Sequence, residues 1–564
     1  MRGEPLGLQL RALARLPRDV LWQRGLHRLK TPLYASALYR FTLPTRGAGA
    51  IVNVPPDPWP GDAARGAAIA GGELTLAGQT IHQPAPLWNP PGALDAWTEA
   101  LHGFAWLRDL RAVGGDTGRR TARDLVARWI EECERWHETG WRPDVLGQRL
   151  ASWIAQHDFY AASGDALFKS RLLVSAGRQA CHLARALPAG LTGDRLLVAV
   201  KGLAYAGLFL PHGQDWLARA MALLEHELTA QILADGGHAS RSPSTHLTVL
   251  RHLIDLRAAF AAAERAGPPG LQPAIDSMAA ALRLFQHGDG GLALFNDGNE
   301  EEGWQVDMAL SRADGRTKVQ AQAPQSGFQR LTAGRVAVLV DGGAPPPPGQ
   351  DTHAHAGTLS FEMSVGRERL IVNCGAHPGD PGWRRAQRMT AAHSTLTLAD
   401  TNSSVLLPEG GVLRGPGIVA CRREESEGNV WLDLSHDGYA QPFGVVHRRR
   451  LYLAGSGDEL RGEDRLVADG SGRHRDGRSF AVRFHLHPQA QASTAQNGMA
   501  AILRLPSGNG WRLRSTDHPV TLEESVYLGR RGEIRRTQQV VIQAQTSGED
   551  SVVKWAIGRE TKRR

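Results

Sequence analysis

Thr358-Leu359-Ser360-Phe361-Glu362-Met363-Ser364 alternates polar and apolar side chains without a break, the period of a half-buried β-strand. The same reading fits Val336–Val340, Leu370–Asn373, Ser394–Leu398, Phe480–Leu486 and Val540–Ala544. Upstream the period is helical. Leu217, Met221, Leu224, Leu228 and Ile232 fall at spacings of 4, 3, 4 and 4, one stripe on one helix face. Comparable amphipathic runs cover 94–110, 121–136, 145–160, 166–186, 194–210, 245–265 and 272–286. Their connections carry helix stoppers, among them Leu187-Pro188-Ala189-Gly190 and Gly267-Pro268-Pro269-Gly270. About eight helices with short loops predict repeated antiparallel hairpins, although no repeat shows in the sequence itself. The period switches near residue 325, so the chain reads as α+β and multidomain, not as an α/β sheet.

Working outward, residues 1–90 form an Arg-rich arm. It contains the turn-forming Pro55-Pro56-Asp57-Pro58-Trp59-Pro60-Gly61 and a short β-like element, Glu73–Gly78. A helical domain is expected over 91–322 and a β domain over 323–564. The prolines at 345–348 read as a stiff loop entering the segment richest in histidine. A length of 564 residues exceeds one hydrophobic core, in agreement with that division.

Composition excludes several classes. The chain is 42% hydrophobic and 22% charged, which is globular rather than disordered. No apolar run approaches the roughly 18–20 residues of a membrane span. Cys133, Cys181, Cys374 and Cys421 are scattered, which argues against a disulfide scaffold or a cysteine zinc site. The balance of 65 Lys+Arg against 57 Asp+Glu favours an anionic partner: an acidic polysaccharide, nucleic acid or an anionic membrane surface. Ordinary solubility charge is the competing explanation. No zinc-finger, helix-turn-helix or RNP pattern accompanies the charge, so nucleic acid is set aside. The N-terminus lacks the apolar core of a secretory signal, from which a cytoplasmic location is the direct expectation.

Three segments concentrate chemistry. Asp235-Gly236-Gly237-His238-Ala239-Ser240-Arg241-Ser242-Pro243-Ser244-Thr245-His246 lies between two strong helices. Its spacing fits a capped turn, with Ser242 or Ser244 as N-cap and Pro243 in the first turn. His238 and His246 are open to two readings, packing or catalysis. Asp351-Thr352-His353-Ala354-His355-Ala356-Gly357 sets two histidines at i and i+2 on one side of an extended segment. Imidazole serves as metal ligand or general base. Arg388-Met389-Thr390-Ala391-Ala392-His393-Ser394-Thr395 opens a further strand. Were these strands neighbours, His355, Asn373 and His393 would meet as two imidazoles and one oxygen donor. A structural zinc ion and a metal-free hydrogen-bonded trio both fit that set.

Together these segments resemble the heparinase II/III family of polysaccharide lyases. DGGHASRSPSTH is similar to that family's DGG-x-x-x-x-SP-x-YH, HAHAGTLSFEMSVGRERLIVNCG to its HGHAD-x-LSFEL strand pair, and RMTAAHSTLTLAD to its R-x-T-x-AHNT segment. His102–Leu107, Phe295–Gly298 and Glu524–Tyr527 add to the likeness, which runs over roughly 85–545. The resemblance implies an incomplete (α/α) toroid followed by an antiparallel β-sandwich. It also implies β-elimination beside a uronic acid in an acidic polysaccharide, and a periplasmic or envelope location.

Carried over residue by residue, His353 matches the histidine near the cleavage point. His355, His393 and Asn373 match metal ligands, with Asn373 where Asp is usual. The family's proton-carrying Tyr falls on Thr245, and its carboxylate-neutralising residue falls near Asp194 or Arg195. Gly357 replaces the Asp that follows the His pair. Two functions follow from this pattern. One is a lyase with His353 and His246 or His238 moving protons, Arg195 and Arg241 binding the carboxylate in the catalytic centre, and Asp194, Thr245 and Arg388 lining the substrate. The other is a protein of the same fold that binds acidic glycan or serves envelope assembly without elimination.

Overall fold

The computed structural model describes residues 11–560 apart from 45–49, 52, 55–56, 314–318, 531 and 549. Contacts divide the chain into two compact units. One is mainly helical, Leu16–Gln231 with Thr248–Ile275; the other holds Ile232–Leu247 and Asp276–Arg564, with the N-terminal residues up to Arg15. This grouping differs from a boundary at 322. Asp235 accepts the Ser326 N–H at 2.7 Å, Arg241 pairs with Asp341, and Arg330 donates to the Leu284 carbonyl at 3.1 Å. Those bonds draw 232–247 and the segment after 276 to the sheets.

In the helical unit the expected runs appear as helices, among them Gly115–Cys133, Pro143–Ala155, Ala166–Ala186, Gly193–Phe209 and Gln214–Gln231. The continuous run expected over 94–110 is two helices, Asp95–Gly103 and Leu107–Val113. Phe104 breaks it with a left-handed φ of 57°, because its ring is needed in the core edge-on to Trp153 at 5.4 Å. Pro143–Ala155 and Gly193–Phe209 pack almost backbone to backbone. A Cβ on Gly202 would lie 2.2 Å from the Gly147 carbonyl oxygen, so glycine is required there. The arm docks on this unit: Asp57 pairs with Arg108 at 2.5 Å, and Trp59 Nε1 donates to Asp255 at 2.6 Å.

The other unit is built on two antiparallel sheets. The eight-stranded sheet runs in the order 419–426, 429–436, 445–453, 459–468, 550–559, 510–515, 500–504, 491–495. The nine-stranded sheet runs 520–527, 535–545, 479–486, 368–372, 361–365, 336–341, 328–333, 322–323, with 396–398 paired to 479–486. Their inner faces share one apolar core that includes Val338, Phe361, Leu432, Phe484 and Trp555. The alternating segment becomes the strand Phe361–Val365, and it is buried on both faces rather than on one. Its polar positions are satisfied internally. Glu362 bonds His287 Nε2 and the Asn373 N–H, each at 2.8 Å, and Ser364 bonds His287 Nδ1 at 2.9 Å. Polarity therefore marked a second buried layer, not solvent.

Arg449 and Asp464 tie the sheets from within. Their pair is bidentate at 2.8 and 3.0 Å, and both side chains are fully buried. Asp464 also accepts from Trp555 Nε1 and bonds His447 Nε2, each at 2.8 Å. The remaining Arg449 nitrogen donates to the carbonyls of Leu359 and Ser394, beside strands of the other sheet. Removing one partner of such a pair leaves a buried charge. Arg449→Met is expected to destabilise the sheet unit by about 3–5 kcal/mol, read by chemical denaturation. A loss below about 1 kcal/mol would refute the role assigned to the pair.

Burial holds His246 and His485 neutral, each lowered to about 4, and keeps His436 and His447 below the usual histidine range. A folded-state value below the unfolded value of about 6.5 means that unfolding takes up protons on acidification. The denaturation midpoint should therefore be flat above about pH 6.5 and fall between about 6.5 and 4. Carboxylates with lowered values, Asp464 among them, add their loss only below that window. A midpoint that does not move between about pH 7 and 5 would contradict this assignment.

Candidate functional site

The site in the sheet unit grows from Asn296 and Asp297, consecutive residues with left-handed φ of 49° and 59°. Asn and Asp tolerate that conformation better than other side chains with a Cβ. The bend sends the two side chains to separate tasks. Asn296 accepts the His355 N–H at 3.0 Å and donates to the Arg241 carbonyl at 2.9 Å, fixing the 353–355 loop and the 235–246 corner together. Asp297 places one carboxylate oxygen 2.9 Å from His355 Nε2, and the other 3.0 Å from both His353 Nδ1 and Arg384 Nη2. Burial alone would raise its pKa, but Arg384 and the two histidines outweigh burial and hold it well below the usual carboxylate range. His353 is the more open of the two histidines, with 27% of its side chain exposed against 2% for His355. A carboxylate on Nδ1 orients an imidazole and raises its basicity, the arrangement of a general base.

His355 and His393 meet. Nδ1 of the first lies 3.1 Å from Nε2 of the second, with the rings edge-on. His393 Nδ1 donates to the Met389 carbonyl at 2.8 Å, which directs its Nε2 lone pair at His355. Burial first, then the neighbouring His355, keep His393 well below the usual range. Two neutral imidazoles at this separation fit adjacent ligands of one ion with bonds of about 2.0–2.1 Å. Asn373 stands beside them, its side-chain oxygen accepting the Ser394 N–H at 2.9 Å while its Nδ2 is buried without a partner. Among the described residues no cluster of three His, Cys, Asp or Glu forms a metal cage. Nor is there room for a carboxylate at 357: a Cβ on Gly357 would lie 3.0 Å from His393 Nε2.

The corner uses its polar residues differently from expectation. Arg241 is buried, paired with Asp341, donating to the Ser326 carbonyl at 2.6 Å and lying 4.7 Å over the Phe328 ring. It ties the corner to the sheet and is not an open cation for a substrate carboxylate. His246 donates from Nε2 to the Met278 carbonyl at 2.8 Å and packs edge-on to Phe285, so it is a packing residue. His238 is buried and bonds Ser240 Oγ at 2.7 Å. Ser242 caps the helix Pro243–Ala262 through the Thr245 N–H at 3.4 Å, and Thr245 is buried in the first turn. Arg388 is buried and spends its guanidinium on the carbonyls of Ala354, Leu407 and Gly411 at 2.6–2.8 Å. It braces the histidine loop from beneath rather than reaching outward.

Asp194 and Arg195 belong to the helical unit. They line a cavity of about 310 Å³ with Trp106, Glu99, Arg142, Asp144 and His252. Arg195 lies 3.2 Å from Glu99 and 3.5 Å from Asp144, and Arg142 pairs with both acids at 2.6 Å. Three acids against two arginines give this cavity a negative balance, so Arg195 is not a ready partner for a uronate.

Asp297, Asn296 and Arg384 were not among the expected site residues. The signal was present as Phe295-Asn296-Asp297-Gly298, read only as part of a likeness. The Asp-Gly-Gly at 235–237 also recurs at 289–291. Each Asp accepts the N–H of the second glycine at 2.9 Å, a repeat too short to register as periodicity. Tyr527 does not replace the missing phenol. It is buried and hydrogen-bonded to Glu300, and burial raises it well above the usual tyrosine range.

Comparison with known proteins matches this geometry to a family. The models for the heparinase II/III N-terminus and for the heparinase II/III-like C-terminal region match residues 89–313 and 315–556. FtsZ-localized protein C of Caulobacter vibrioides is 32% identical over 585 aligned residues, spanning 99% of each chain. Among solved structures, heparinase III superposes with a TM-score of 0.69 at 16% identity, covering 84% of this chain and 79% of that one. A chondroitin AC lyase from Streptomyces coelicolor in complex with chondroitin sulphate gives 0.55 at 11% identity, covering 89% and 79%. The fold is thus the incomplete (α/α) toroid with an antiparallel β-sandwich, and the chain belongs to the heparinase II/III family.

Proposed function

We propose that this protein serves assembly at the bacterial division site on a heparinase fold, without carrying out elimination. Thr245 is the observation that carries this reading. The heparinase II/III pattern sets a proton-carrying tyrosine at this corner, and a threonine hydroxyl cannot serve as a phenol with a pKa of about 10. The commitment of Arg241 to Asp341 and the acid-rich rim around Arg195 support it, since both weaken the hold on a uronate carboxylate. The relative named for its localisation with FtsZ, similar along nearly its whole length, supports the division-site context.

A second reading is favoured by the Asp297–His353 pair: a uronate-directed lyase in which His353 moves the protons. The two part in two measurements. Under the assembly reading a fluorescent fusion gathers at the division plane, and the purified protein gives no ultraviolet signal of an unsaturated uronate on a panel of acidic polysaccharides. Product formation that His353→Ala lowers by about 10²–10⁴-fold would establish the lyase instead. Thr245→Tyr sharpens the contrast, because restoring the phenol should create or raise elimination only if the remaining site is competent.

A metal belongs to the same proposal. His355, His393 and the Asn373 side-chain oxygen would hold a structural zinc ion, which would fix the histidine loop without taking part in proton transfer. Elemental analysis of purified protein should find zinc in the wild type and lose it in His393→Ala. Equal metal content in both proteins would remove this site.

A further inference from the structure

The helix Arg18–Tyr34 carries two apolar stripes, and only one of them is used. Val20 and Tyr34 are buried. Tyr34 packs edge-on to His182 at 4.8 Å and tilted against Tyr39 at 5.0 Å, and Arg24 donates to the Gly190 carbonyl at 2.9 Å. That face anchors the helix on its own unit. On the other side Trp22, Leu26, Leu29 and Leu33 follow one another at helical spacing, and all are exposed. Trp22 is 71% exposed and Leu29 80%. The following short helix, Ala37–Phe41, adds Leu38 at 76% and Phe41 at 82%. Soluble surfaces scatter large apolar side chains singly, whereas six within twenty residues mark a surface meant to be covered.

Charge decides what covers it. Between residues 18 and 41 the cations are Arg18, Arg24, Arg28, Lys30 and Arg40, and the one acid is Asp19. Arg18, Arg28 and Arg40 are exposed beside the apolar stripe. A second copy of this chain would bring the same positive edge and no complementary acid. A soluble acidic glycan supplies the charge but no apolar surface to desolvate leucines. An anionic bilayer supplies both: acyl chains for Trp, Leu and Phe, and phosphates for the flanking cations. No helix among the described residues is long and apolar enough to cross a membrane, so the contact lies in the interface plane.

We propose that Arg18–Phe41 is an amphipathic platform that seats this protein peripherally on an anionic lipid surface. The proposal stands apart from the function argued above and uses none of its site residues. Co-sedimentation of the full-length protein with vesicles of equimolar phosphatidylglycerol and phosphatidylcholine tests it, with pure phosphatidylcholine vesicles as control. Binding is expected to the anionic vesicles, to weaken with salt, and to fall at least tenfold in Leu29→Glu and in Phe41→Glu. Both substitutions lie at exposed positions and should leave the circular dichroism spectrum unchanged. Arg28→Ala with Lys30→Ala should weaken binding at low salt and matter little at high salt. Failure to bind anionic vesicles, or undiminished binding by both Glu variants, overturns the proposal. So does a wild-type dimer by light scattering that Leu29→Glu dissolves while vesicle binding is absent, which would assign the stripe to a second copy.

Discussion

The Asp297 carboxylate is the interaction on which the geometry of the histidine site depends. One largely covered anion, its side chain 11% exposed, holds His353, His355 and Arg384, while its neighbour Asn296 fastens the histidine loop to the 235–246 corner. Left-handed backbone at two successive residues is costly unless the surroundings fix it. Here five bonds made by the two side chains do so. The outcome is a rigid imidazole pair, in which His393 carries its proton on Nδ1, and one partly open histidine presented beside it.

Around that hub the family's fold is kept, and two charged residues at its motif positions face inward. Arg241 and Arg388, charged residues at motif positions, are spent on Asp341 and on three loop carbonyls. Each stiffens the sheet unit, and neither offers an open charge to an anionic chain. The phenol is gone at Thr245, and Gly357 gives His393 the space that a carboxylate would take. The fold by itself does not fix the chemistry, because function resides in the particular groups a site presents.

The basic excess of the chain also takes a different meaning once it is located. The helical-unit cavity holding Arg195 has more acids than arginines. A dense group of cations with little acid lies instead along the N-terminal helix, next to exposed leucines and aromatics. Net charge read as a total pointed to an anionic partner. Position supplies the distinction between a polymer in a cavity and a surface beneath a helix.

Periodicity was legible without coordinates. The stripe ending at Ile232, the stopper motifs and the switch near 325 set the helices and strands nearly as observed, because local hydrophobic spacing directly reflects which face each element buries. The capped corner at Ser242 was equally local. Tertiary structure alone decided the rest. Glu362 is an inner-layer residue because His287, 75 positions away, meets it. Phe104 ends a helix because the core takes its ring, and Asp297 governs histidines 56 and 58 residues downstream. Sequence spacing records which residues share a face, but it carries no record of which distant faces close on each other, and buried polar partners are chosen by that closure.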